Sequence, residues 1–120
     1  MKNDIELCGR NLNTKKDKIF ISGPMTGYPD FNFPLFNKVS EILTSQGFDV
    51  VNPVTICKKY KRERVLSDKT VFDSMISEQQ DAERKCTTLL LLPKWEESIG
   101  VRLELQTAIE LKMKIIQWRD

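Results

Sequence analysis

The sequence predicts a single-domain α/β protein, an open parallel sheet of four to five strands with helices on both faces. Short β-rich runs at Lys18–Ser22, Phe48–Val51, Thr87–Leu92 and Lys114–Trp118 alternate with longer amphipathic stretches. Strands and helices in alternation join by right-handed crossovers into a parallel sheet. The run Leu89-Leu90-Leu91-Leu92 is continuously apolar, as in a strand covered on both sides. A chain of 120 residues is long enough for one real core and too short for two.

Residues 1–17 are polar and mixed in charge, and read as an arm, with at most a short turn or edge strand, ahead of a domain at 18–120. Lys18–Ser22 is a buried strand that runs into a loop from Gly23 to Asn32. Phe33 to Gln46 places Phe36, Val39, Ile42 and Leu43 at helical spacing, with Gly47 as a natural left-handed stop. Phe48–Val51 is a second strand, closed by Asn52-Pro53. The connection from Val54 to Lys69 carries Lys58, Lys59, Lys61, Arg62 and Arg64. A solvated loop or helix outweighs a phosphate- or polynucleotide-binding patch there. Lys69 to Lys85 reads as a helix with Val71, Met75, Ile76 and Ala82 inward. Pro93 ends the third strand, because its ring removes a ladder donor. Ser98 is a plausible N-cap for the next helix, whose core side is Val101, Leu105, Ala108 and Ile109.

Composition narrows the function. The formal net charge is +2, from 19 basic and 17 acidic residues, which gives no strong nucleic-acid or membrane footprint. No apolar run approaches the ~18 residues of a membrane span, and the N-terminus lacks the apolar core of a secretory signal. Cys8, Cys57 and Cys86 form no CxxC pair and read as reduced thiols of a cytoplasmic protein. The absence of histidine excludes Ser–His and Cys–His pairs and argues against zinc. Neither GxGxxG nor a P-loop occurs. Neither a metal nor an organic cofactor is expected.

In open parallel sheets the ligand sits beyond the carboxyl ends of the strands, where the strand order reverses. Gly23–Asn32, Asn52-Pro53 and Trp95–Gly100 should converge at that edge, bringing Ser22, Gly23, Pro24, Met25, Asn52 and Trp95 to it. Glu104 lies four residues after Gly100 and leans back over a residue with no side chain. It could be a nucleophile or acid–base group, or an exposed glutamate beside Arg102 or Lys112. Ser98 with the amides of Gly100 and Val101 could hold an anion, or Ser98 could be a cap alone. Gly23–Gly27 is equally a plain turn or a ligand loop. Asp81 is more readily a surface charge than an acid, and Trp95 is either a lid or part of a surface cluster.

These residues carry a resemblance. Ile19-Phe20-Ile21-Ser22-Gly23-Pro24-Met25-Thr26-Gly27, with Asp30, Asn32-Phe33-Pro34 and Phe36-Asn37, resembles the N-terminal motif of the DUF4406 proteins, common in phages and prophages. Val51-Asn52-Pro53 and Leu92-Pro93-Lys94-Trp95-Glu96, with Ser98, Gly100 and Glu104, extend the match over about residues 18–117. That family looks related to nucleoside 2-deoxyribosyltransferases and 2′-deoxynucleoside 5′-phosphate N-hydrolases, which implies a flavodoxin- or Rossmann-like fold. The resemblance implies cleavage, by hydrolysis or transfer, of the N-glycosidic bond of a (deoxy)nucleoside 5′-monophosphate. Glu104 would attack C1′, Ser98 would hold the 5′-phosphate, and Asp81 is the weaker candidate for protonating the leaving base. It also implies a homodimer or higher homo-oligomer, in a host cytoplasm if phage-encoded. Two positions depart from the family pattern. Thr87 stands where relatives carry an aspartate expected to position or protonate the substrate, and Lys94 replaces a glycine. The alternatives are a catalytically silent nucleotide-binding module, which Thr87 favours, and a scaffold on which Glu104 is decoration.

Overall fold

A computed structural model describes residues 6–7 and 10–119 of the chain. Cys8 lies outside the described residues. Within the polar arm, β1 (Glu6–Leu7) pairs antiparallel with β2 (Arg10–Asn11). The main sheet holds β3 (Lys18–Ser22), β4 (Asp49–Val51), β5 (Thr88–Leu91) and β6 (Lys114–Gln117). They lie in the order β4-β3-β5-β6 and every pairing is parallel. The expected open parallel α/β sheet is therefore present, with four strands.

Strand periodicity decides which helix covers which face. Ile19 and Ile21 of β3 point to one side, where they pack with Phe36, Val39 and Leu43 of α1 (Phe33–Ser45). Phe20 points to the other, towards Val101 and Ala108 of α5 (Ile99–Glu110) and Ala82 of α4 (Lys69–Arg84). Ser22, two residues after Phe20, must share that second face. α1 ends as its sequence predicts. Gly47 is left-handed at φ 96°, its N–H donates to the Thr44 carbonyl at 3.0 Å, and the Phe48 N–H donates to that of Leu43 at 3.1 Å. The buried Phe48 and Leu43 share one core cluster, which completes a Schellman stop.

The basic connection folds into two short helices, α2 (Pro53–Cys57) and α3 (Arg62–Ser67). Lys58, Lys59, Lys61 and Arg64 are exposed, and Lys59 pairs with Glu78, so the solvated reading holds for them. Among the described residues no helix is long and apolar enough to cross a membrane.

The amino edge of the sheet is tied by a polar cluster. Asp17, only 4% exposed, accepts from the Asn13 amide at 2.8 Å, Lys114 Nζ at 2.8 Å and Thr87 Oγ1 at 3.0 Å. Thr87 Oγ1 also accepts from the Lys18 amide at 3.0 Å. Leu12 and Asp17, assigned by sequence to the arm, are thus buried against the sheet. Thr87 pairs with the first residue of β3, whereas Ser22 is the last. Four strand steps put them about 13 Å apart. The Thr87 hydroxyl, at the position where the resemblance expects an aspartate, is engaged at the edge opposite the crevice.

Candidate active site

The first crossover from β3 leads outward to β4, and the later ones lead back past β3 to β5 and β6, so strand order reverses between β3 and β5. The crevice at their carboxyl ends is the site that this topology prepares. Ser22 enters it from β3 and Glu104 from α5, and the Ser22 hydroxyl donates a hydrogen bond to Glu104 Oε1. Glu104 is half-buried, and desolvation pushes its carboxyl up to about 7, against the opposing pull of the Ser22 hydroxyl. A carboxyl so placed is close to half-ionised at neutral pH, with a donor fixed to its charged form.

Around this pair the wall is assembled from three elements. Met25 Sδ, in the loop after β3, lies 3.9 Å from Cys57 Sγ at the end of α2. Gln79 of α4, only 8% exposed, donates to the Cys57 sulfur at 3.2 Å. Burial raises the Cys57 thiol, the Gln79 donor lowers it, and the charge of Glu104 raises it further, which marks the thiol as a neighbour of the carboxyl. Polarisable sulfur makes favourable contacts with an aromatic ring.

Other residues predicted for the site have structural work. Gly23 sits where an added Cβ would come within 2.8 Å of Leu92 Cβ, so the first loop residue is fixed by strand packing. Pro24 is buried, and its carbonyl accepts from Asn32 Nδ2 at 2.9 Å, which folds the loop back on itself. Asp30, Phe31 and Asn32 are all left-handed, at φ 50°, 54° and 64°. Asn52 caps α2, accepting from Val54 at 3.1 Å and donating to Asn37 at 2.9 Å, so both ends of its amide are engaged. Trp95 is partly buried and packs against the α4–α5 side of the core. Lys94, at the glycine position of the family pattern, adopts φ 67°.

Ser98 is the N-cap of α5, its Oγ accepting from the Val101 amide at 3.3 Å. An added Cβ at Gly100 would meet only Ser98 Oγ, at 3.8 Å, so the space between cap and carboxyl is open. Six residues separate Ser98 from Glu104, about 9 Å along the axis. The backward lean of the glutamate shortens that span.

Asp81 does not join this group. It is exposed on α4 in an open groove with Tyr60, Asp73, Ser74, Ser77 and Glu78. Two residues on a helix turn by about 200°, so Asp81 faces away from both Gln79 and Glu83. The expectation that Asp81 protonates a leaving group is corrected on that ground. The sequence reading missed Glu83, which is fully inaccessible and whose two carboxyl oxygens have no hydrogen-bond partner. Burial, then the charge of Glu104, raises it to about 8. Its signal was its spacing, on the stripe Met75, Gln79, Ala82, Glu83, Cys86 that faces the core.

Fold and site together define a small parallel α/β domain with a serine-bonded carboxyl at its topological switch point. The chain belongs to the DUF4406 family, described as a domain of unknown function, which matches residues 17–117. No curated protein matches the sequence.

Proposed function

We propose that the protein cleaves the N-glycosidic bond of a (deoxy)nucleoside 5′-monophosphate, with Glu104 as the nucleophile. The observation that carries this reading is the Ser22–Glu104 hydrogen bond in the crevice between β3 and β5. A nucleophilic carboxyl must be ionised, close to the sugar and shielded from bulk water. A bond forms from a Glu104 oxygen to C1′ as the C1′–N bond breaks, its electron pair leaving with the base, which takes up a proton. Water then attacks C1′, releasing the sugar phosphate and restoring Glu104, in the two-step logic of retaining glycosidases. A second base in place of water gives transfer.

The rest of the crevice supports the same substrate. Five bonds separate C1′ from phosphorus in a nucleoside 5′-monophosphate, which suits the reach from Glu104 back to the α5 N-terminus. There the Ser98 hydroxyl and the helix amides favour an anion. Met25, Cys57 and Gln79 offer a face and an amide to the base. The Thr87 hydroxyl donates to Asp17, away from the crevice, so Thr87 takes no part in the proposed reaction.

The test is base release from a panel of nucleosides and nucleoside monophosphates, read by chromatography for the native chain and Glu104→Gln. Release that disappears in the variant supports the reaction. Thermal stabilisation by a nucleotide without release would replace it with a sequestering module.

A further inference from the structure

Glu83 is a buried acid that the proposed reaction leaves unused. It is 0% exposed, next to Ala82, which packs in one cluster with Val101, Leu105 and Ala108 of α5, and neither oxygen has a partner. An isolated ionised carboxylate in such a place is very costly, so the group must carry a proton or gain a compensating neighbour. The charged and titratable groups that bear on it are few. Glu104 acts from α5, Arg84 lies on its own helix, the Cys86 thiol follows that helix, and the Cys57 thiol of α2 borders Glu104. Arg84 favours the ionised form but is exposed, and its effect ranks below those of burial and Glu104.

We infer that Glu83 is a positioning residue for Glu104: a proton-bearing carboxyl that shares the space between α4 and α5 and confines the pair to a single negative charge, carried by Glu104 towards Ser22. The inference rests on Glu104 being the working carboxyl of the crevice. Two like acids in one dry compartment do not both ionise readily, and they titrate as a pair. The member with a hydroxyl donor ionises first; the member with none keeps its proton. Ionisation of Glu104, near 7, switches the site on, and that of Glu83, near 8, adds a second charge behind it and switches the site off. Both folded values exceed the ordinary 4.5, so stability from these groups is complete at acid pH and is lost as pH rises through them.

Two measurements on the full chain test this. Carbon NMR of side-chain carboxyls, with selective glutamate labelling, follows each titration without any need for turnover. The expected result is two coupled steps in the native chain and a single Glu104 step in Glu83→Gln, with Glu83→Met as a second neutral variant should the buried amide impair folding. A Glu83 signal that titrates below pH 6, or native and variant chains with the same Glu104 curve and the same number of steps, would overturn the inference. The pH profile of base release is the second arm. Its high-pH limb should vanish in both variants while the low-pH limb stays in place, and a limb that persists counts against Glu83. If the native chain releases no base, the proposed reaction fails while the NMR arm still decides the carboxyl pair.

Discussion

At the scale of single residues, the chemistry depends on what surrounds one carboxyl. Glu104 is opposed by burial and helped by a single hydroxyl. Removing that hydroxyl with Ser22→Ala should move the ionisation of Glu104 upward and the low-pH limb of base release with it. Loss at pH 7 should be on the order of tenfold, with recovery at higher pH in a chain that also carries Glu83→Met. A loss independent of pH would instead assign Ser22 to substrate contact. Ser98 has a separable role. Ser98→Ala removes an N-cap, worth about 1 kcal/mol of stability. It should also raise KM for monophosphates while leaving unphosphorylated nucleosides unchanged, a contrast that kinetics on paired substrates reads directly. Equal effects on both would confine Ser98 to its cap.

At the scale of elements, sequence and structure agree where period and punctuation were unambiguous. The apolar runs of β3 and β5, the α1 stripe with its Gly47 stop and the Ser98 cap of α5 were all legible, because each rests on local geometry that the side chains dictate. What was not legible is polar burial. Gln79 and Glu83 look like solvated polar helix residues until α4 is laid on the sheet, whereas Asp81, the more familiar acid, falls on the outer face. The bonds of Thr87 to Asp17 and Lys18 were not legible either, because nearness to β5 in sequence does not say which edge of the sheet a residue serves. Asn52, too, looks like a ligand residue but is consumed by its helix cap. Gly23 gives this scale its prediction. Gly23→Ala drives a methyl into the Leu92 side chain and should cost about 1–3 kcal/mol by thermal or chemical unfolding. Leu92→Gly in the same chain removes the Cβ that the methyl meets, so the double variant should lose less than the sum of the two.

At the scale of the whole molecule, two sets of desolvated acids place opposing demands on pH. At the amino edge, burial works against the ionised Asp17 carboxyl, but its bonds from Asn13, Lys114 and Thr87 outweigh this and hold it below the ordinary 3.8. The stability it contributes is complete above that value and is lost as pH falls through the folded one. On the face that α4 and α5 cover, Glu83 and Glu104 act in the other sense, each removing up to about 1.4 kcal/mol per pH unit between 4.5 and its folded value. The melting temperature should therefore peak between pH 3.8 and 4.5 and decline as pH rises to about 8. Glu83→Met should flatten the alkaline side and leave the acid side intact, which a pH series of thermal melts would reveal. An unchanged alkaline slope would show that the carboxyl is not the source.

Three successive residues, Asp30, Phe31 and Asn32, wind against the hand of every helix in the chain. For an L-residue that winding costs roughly 1–2 kcal/mol, and for its mirror image it is the resting conformation. A 120-residue chain is within reach of assembly from synthetic segments. Placing D-alanine at the exposed position 30 should make the protein melt later than L-alanine at the same place, although the two chains share every bond and every atom type.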